Sequence, residues 1–245
     1  MFLLKTWRST AFGIYGYMNF TKNGFLDHSK KFKPEDMQIQ IQGKNCVVTG
    51  ANSGIGYAAA EGLASRFELN YAVNVLGTYT MTELMLPLLE KASPDSKVIT
   101  VSSGGMYTSP LTTDLQFSGE KFDGVLQYAR NKRIQVALTE KWADKYKNKG
   151  IGFYSMHPGW AETPGVARSL PSFKESFSGK LRTSEEGADT VVWLALQPKE
   201  KLVSGAFYFD RAEAPKHLTL AGTSKSHDLI DSVIDTLHSM AALDP

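Results

Sequence analysis

Tyr128 and Lys132 stand four positions apart, a spacing that puts both on one face of a helix. A phenol with a pKa near 10 is a poor acid–base catalyst at neutral pH unless a nearby cation stabilises its phenolate, and Lys132 can supply that charge. A chain this rich in tyrosine and lysine shows about one such pair by chance. Its company therefore decides its meaning. Val-Ile-Thr-Val-Ser-Ser ends at Ser103, a hydroxyl at the end of a strand, which could equally be a turn former. Asn74 lies in the apolar run Tyr-Ala-Val-Asn-Val-Leu-Gly, where a buried amide needs partners. His157-Pro158-Gly159-Trp160, with Thr163 beyond, closes the set, and His157 reads as structural.

A second motif lies upstream. Thr49-Gly50-Ala51-Asn52-Ser53-Gly54-Ile55-Gly56 joins an apolar run to a helical one. Glycines there permit a tight turn and let backbone N–H groups approach a pyrophosphate at a helix N-terminus.

These groups need a scaffold. Asn45–Thr49 reads as a buried strand and Ile55–Arg66 as the helix after it. Phe67–Leu89 is helical by period, with Leu69, Val73, Leu76, Leu84 and Leu88 on a broad apolar face. Val98–Val101 is a strand, Asp123–Tyr146 a long helix, and Ile151–Met156 a strand stopped by Pro158. Ser184–Leu196 is a helix capped by Ser184, with Glu185 and Glu186 in the first turn. Ala206–Phe209 is a last strand, and Leu229, Val233, Leu237 and Met240 mark an amphipathic C-terminal helix. Strands alternating with helices predict a parallel sheet covered on both faces.

The 245 residues, 42% of them hydrophobic and 21% charged, suit one α/β domain. A formal net charge of +2 with scattered lysines argues against nucleic acid. One cysteine, Cys46, excludes an internal disulfide and a cysteine metal cluster, and makes a reducing compartment, the cytoplasm, the default. No stretch reaches the roughly 18 apolar residues of a spanning helix. No acid precedes Asp27, and Lys5, Arg8 and Lys22 sit among aromatic and aliphatic residues. Residues 1–26 therefore read as an organelle-targeting segment, a membrane-surface contact, or an arm packed on its own domain; Gly13 and Gly16 count against a helix there.

In this order, the residues between Gly43 and Asp210 resemble the short-chain dehydrogenase/reductase family. The likeness rests on Val-Ser-Ser-Gly-Gly-Met (101–106), Tyr-Ala-x-Asn-Lys-Arg (128–133) and Met-His-Pro-Gly-Trp-Ala-x-Thr-Pro-Gly-Val (156–166). It implies an oxidoreductase passing hydride between a nicotinamide and a carbonyl or secondary alcohol. Tyr128 would be the acid–base residue, and Lys132 would lower its pKa and hold the ribose. Ser103 would bind the substrate oxygen, and Asn74 would anchor a water. Gly50, Ser53, Gly54, Ile55 and Gly56 would cradle the pyrophosphate, with Pro158, Gly159 and Thr163 beside the nicotinamide. The implied cofactor is NADP or NAD, with a slight lean to NADP. Two departures stand out: 25 positions separate Ser103 from Tyr128, and Arg130 occupies a usually small position. The stretch 164–182, with Leu170, Phe173 and Phe177, would form a lid over a small hydrophobic substrate.

Only 18 positions separate Gly56 from Asn74, too few for the strands that read adenosine in this family. At roughly 30 residues per βαβ unit the deficit is on the order of 60–70 residues. The expected fold is a Rossmann-type doubly wound parallel sheet, incomplete after Arg66 and lacking strands 2–4 with their helices. Residues 1–42 form the arm and residues 43–245 the truncated domain. The alternative to an active oxidoreductase is an inactive isoform acting through protein contacts, homo-oligomeric pairing included, or an unstable product.

Overall fold

The structure, a computed structural model, describes residues 2–37, 69–118, 121–162 and 171–241. The expected strand Asn45–Thr49, the helix Ile55–Arg66 and the glycine turn between them lie outside the described residues. Helices α1 (Phe2–Asn19) and α2 (Lys22–Ser29) form the arm. Next come a helical turn (Leu69–Tyr71), a π-helical segment (Ala72–Gly77) and α3 (Thr78–Lys91), without a break. Strand β1 (Ser96–Val101), α4 (Gly124–Lys145) and β2 (Ile151–His157) follow. Then come α5 (Pro171–Ser176), α6 (Ser184–Leu196), the strands β3 (Phe207–Phe209) and β4 (Ala212–Glu213), and α7 (Ile230–Ala241).

The sheet order is β1-β2-β3-β4. β1 and β3 flank β2 in parallel, while β4 returns antiparallel to β3. Asp210 and Arg211 make the two-residue turn between β3 and β4, both with positive φ (47° and 58°), which matches the twist of a tight hairpin. Side chains alternate along β2, so its two faces bury different layers. Ile151 and Phe153 pack with Tyr79, Leu138, Trp142 and Val233, under α3, α4 and α7. Tyr154 and Met156 pack with Trp193 and Leu194 of α6. The result is an incomplete Rossmann-like α/β fold.

α6 begins where its sequence predicts, but Thr183, not Ser184, is its cap. Its hydroxyl accepts from the Glu186 N–H, and the Glu186 carboxylate accepts from the Thr183 N–H, a reciprocal capping box. The arm departs further from expectation. A helix runs straight through Gly13 and Gly16. At Gly16 a Cβ would stand 2.5 Å from the Trp160 ring, so the missing side chain is what lets the ring seat against α1. Phe20, at the end of α1, is buried with Met106, Tyr107, Phe207 and Phe209. The outer surface of the arm carries exposed Leu4, Trp7, Ile14 and Met18. No helix among the described residues is long and apolar enough to cross a membrane.

Candidate active site

The site forms where β1 and β2 end and α4 passes over them. Asp123 caps α4 by accepting from the N–H groups of Val125 and Leu126, which fixes where Tyr128 and Lys132 fall on its first three turns. Ser102, the residue after β1, donates to the Lys132 carbonyl at 2.8 Å and ties strand to helix. Ser103 follows in extended conformation, its Oγ accepting from the Gly105 N–H at 3.1 Å.

Tyr128 is 37% exposed. Burial around its hydroxyl raises the pKa above the ordinary phenol value, and a hydrogen bond with Ser103 offsets part of that rise. An activated tyrosine is expected to shift the other way. Burial outweighs any contribution from Lys132, whose Nζ stands over the Tyr128 ring, 5.4 Å from its centroid. That ammonium donates to the Val101 carbonyl and to Gln135 Oε1, each at 3.1 Å. Burial pulls its pKa down to about 8.

Asn74 lies in the π-helical segment. Its side-chain amide donates to the Asn70 carbonyl (3.0 Å) and to Asn70 Oδ1 (2.8 Å). The backbone carbonyl of Asn74 reaches the lysine by accepting from Gln135 Nε2 at 2.7 Å. Asn131 of α4 donates to Asn70 Oδ1 at 3.4 Å and fastens the same segment from a second point.

The long loop between Ser103 and Tyr128 is anchored to α4, and this accounts for both departures from the family pattern. Arg130 pairs with Asp114 at 3.5 Å and lies 4.2 Å over the Phe117 ring. Gln127 donates to the Leu115 carbonyl at 2.7 Å. Arg133, buried, donates to the carbonyls of Met106, Ser109 and Lys216, and burial lowers its pKa to about 10.

Behind the site, Arg182 and Asp210 form a buried pair, Nη1–Oδ1 at 2.6 Å and Nη2–Oδ2 at 2.8 Å. Arg182 also donates to the carbonyls of Asn19, Phe20, Thr21 and Pro158. His28 pairs with Asp210 from α2. Gly159, with φ +80°, is the one residue that fits there: a Cβ would stand 2.3 Å from Arg182 Nε. His157 is fully enclosed between Phe20 (ring centroids 4.1 Å apart) and Phe209 (5.4 Å). Burial, with Arg182 and Lys132 nearby, holds it neutral, its pKa well below the usual value.

Of the residues read from the sequence, Ser103, Tyr128 and Lys132 come together, Asn74 joins them through its backbone, and Pro158 and Gly159 lie at the Arg182 clamp. Gly50, Ser53, Gly54, Ile55, Gly56 and Thr163 lie outside the described residues, as does Leu170 of the expected lid. Phe173 and Phe177 pack against Trp160, at 5.1 and 4.7 Å, and Phe177 also meets Tyr17 of the arm. No cluster of metal-binding side chains is present among the described residues.

The chain is 35% identical to dehydrogenase/reductase SDR family member 12 of Bos taurus, covering 96% of this chain and 98% of that protein. The chain belongs to the short-chain dehydrogenase/reductase family. The Homo sapiens protein of the same name is 34% identical, with 97% and 99% covered. No protein-family model matches the chain. A solved structure of an uncharacterised protein from Mycobacterium paratuberculosis shares the fold, with a TM-score of 0.53 at 19% identity, over 73% of this chain and 60% of that one. The alignment with the Bos taurus protein runs over 313 residues, more than the 245 this chain possesses, so this short-chain dehydrogenase/reductase is shorter inside than a relative it spans end to end.

Sequence reading missed Gln135, Arg133, Arg182 and Asp210. Gln135 could have been found, since positions 128, 132 and 135 share one helical face.

Proposed function

We propose that the chain is a nicotinamide-dependent oxidoreductase acting on a carbonyl or secondary alcohol, with Tyr128 as its acid–base residue. The observation that carries this reading is the meeting of Ser103, Tyr128 and Lys132 at the ends of β1 and β2, where α/β sheets build their sites. When bound, the cofactor supplies or takes up the hydride. The residues fit such a group: Lys132 has three N–H donors and spends two on the chain, leaving one for a ribose hydroxyl. Tyr128, hydrogen-bonded to Ser103, is the group placed to exchange a proton with the substrate oxygen. Ser103 holds the same oxygen by a second hydrogen bond. The glycine turn Gly50–Gly56 would take the pyrophosphate, with Pro158, Gly159 and Thr163 beside the nicotinamide.

Tyr128→Phe tests the assignment. It should abolish turnover of a hydrophobic carbonyl while leaving the melting temperature unchanged, and turnover like that of the wild type would sink it. A second reading is an inactive chain that retains the catalytic side and lacks the grip on adenosine. The shortfall in length against its relatives favours it. Thermal unfolding with NADPH and NADH separates the two. Binding at a hundred times Kd would stabilise the chain by about 2.7 kcal/mol and identify the preferred cofactor, while no response to either supports the inactive chain.

A further inference from the structure

We propose that Gln135 is a positioning residue that ties the Lys132 ammonium to the main-chain carbonyl of Asn74, so that one lysine N–H stays free on the Tyr128 side. This rests on the reading of Lys132 as part of the site. Both ends of the Gln135 amide are committed. Oε1 accepts from Lys132 Nζ at 3.1 Å, and Nε2 donates to the Asn74 carbonyl at 2.7 Å. The residue is buried, where a side-chain amide without partners is costly and an aliphatic group would fill the same space. The π-helical turn supplies the other half of the device. Its wider winding lets a carbonyl face a neighbouring helix. Asn70 accepts both hydrogen bonds of the Asn74 amide, and Asn74 meets Gln135 through its main-chain carbonyl. With Val101 as the second acceptor, Gln135 sets which direction the third N–H takes.

The arrangement predicts opposite effects from two substitutions of similar size. A carboxylate at position 135 pairs with the ammonium and favours its charged form. An aliphatic group removes an acceptor and leaves the charge less satisfied in a buried place. Among the described residues, the titratable groups facing Lys132 are Tyr128 from its own helix and neutral His157 from β2. Neither changes with these substitutions.

The test is a pH titration of the full chain, free of cofactor, carrying lysine labelled with carbon-13 at Cε. The Lys132 resonance is assigned by its loss in Lys132→Arg. Gln135→Glu should raise the proton affinity of Lys132 about tenfold, and Gln135→Leu should lower it severalfold. If leucine prevents folding, Gln135→Met keeps the chain length and serves in its place. Shifts in the same direction, or none, overturn the proposal, because an amide that did not touch the ammonium would give no such reversal. The turnover assay of Tyr128→Phe is independent of it. Opposite shifts with no turnover in the wild type would remove the proposed reaction and keep the link, and turnover without the shifts would do the reverse.

Discussion

Asp210→Asn removes half of the ion pair that fastens the arm to the sheet, and its cost follows from burial. The Arg182 and Asp210 side chains are 1% and 4% exposed, so solvent screens the pair little. Losing one member of such a pair leaves the other charge buried without compensation, at about 3–5 kcal/mol. At about 2–4 °C per kcal/mol for a chain of this size, the melting temperature should fall by roughly 6–20 °C. Arg182→Lys should approach the same loss. The guanidinium reaches two carboxylate oxygens and four backbone carbonyls at once, and an ammonium with three donors cannot. The double variant Arg182→Met with Asp210→Asn should recover part of the deficit, since it leaves neither charge behind. Circular dichroism melts measure all four chains. Hydrogen exchange at the Trp160 amide, which donates to the Phe20 carbonyl at 2.7 Å, reports whether the arm lifts first. A change below about 2 °C in Asp210→Asn would refute the reasoning.

The two glycines of α1 should respond in opposite senses. Gly13→Ala meets nothing within 4 Å and should gain up to about 1 kcal/mol of helix propensity, while Gly16→Ala strikes the Trp160 ring and should lose stability in the same melt. Thr183→Ala should cost about 1 kcal/mol by removing the cap of α6, with Ser184→Ala near neutral, as urea unfolding would show. Lys132 gives a pH signature. Its folded pKa of about 8 lies below the ordinary lysine value of 10.5, so the unfolded chain binds more protons between the two values and stability rises with pH across that window. The full contribution is about 3 kcal/mol, and Lys132→Met should flatten that part of the profile relative to the wild type. Above it, Tyr71, Tyr79 and Tyr154, each pushed up to about 12, act in the opposite sense and lower stability as pH rises.

The catalytic face of α4 was legible because a helix has a fixed period and Tyr128, Lys132 and Ser103 carry reactive groups. α6 was legible to the residue from its acids and apolar rhythm, and even its cap could have been read from Thr183 and Glu186 at capping-box spacing. The arginines were not legible. Arg133 and Arg182 look like surface charges in a sequence, and only the fold surrounds them with carbonyls from distant segments. The arm failed for a related reason. Gly16 lowers helix propensity locally, but its lack of a side chain is what seats Trp160, and that gain lies some 140 positions away in the chain.

These long-range ties also bear on the internal shortfall of the chain. The contacts that position Tyr128, Lys132 and Ser103 come from β1, α4, the loop at 104–117 and the π-helical segment, all C-terminal to Arg66. Among the described residues the one earlier element that takes part is the arm, held by Arg182 and by Phe20 against Phe207 and Phe209 of β3. Every described contact that holds the catalytic constellation therefore lies outside the stretch where strands reading adenosine would stand. Loss of those strands should weaken cofactor affinity without moving the lysine. A chain whose Lys132 titration answers to Gln135, and whose melting temperature ignores NADPH and NADH, would localise the defect to the cofactor grip.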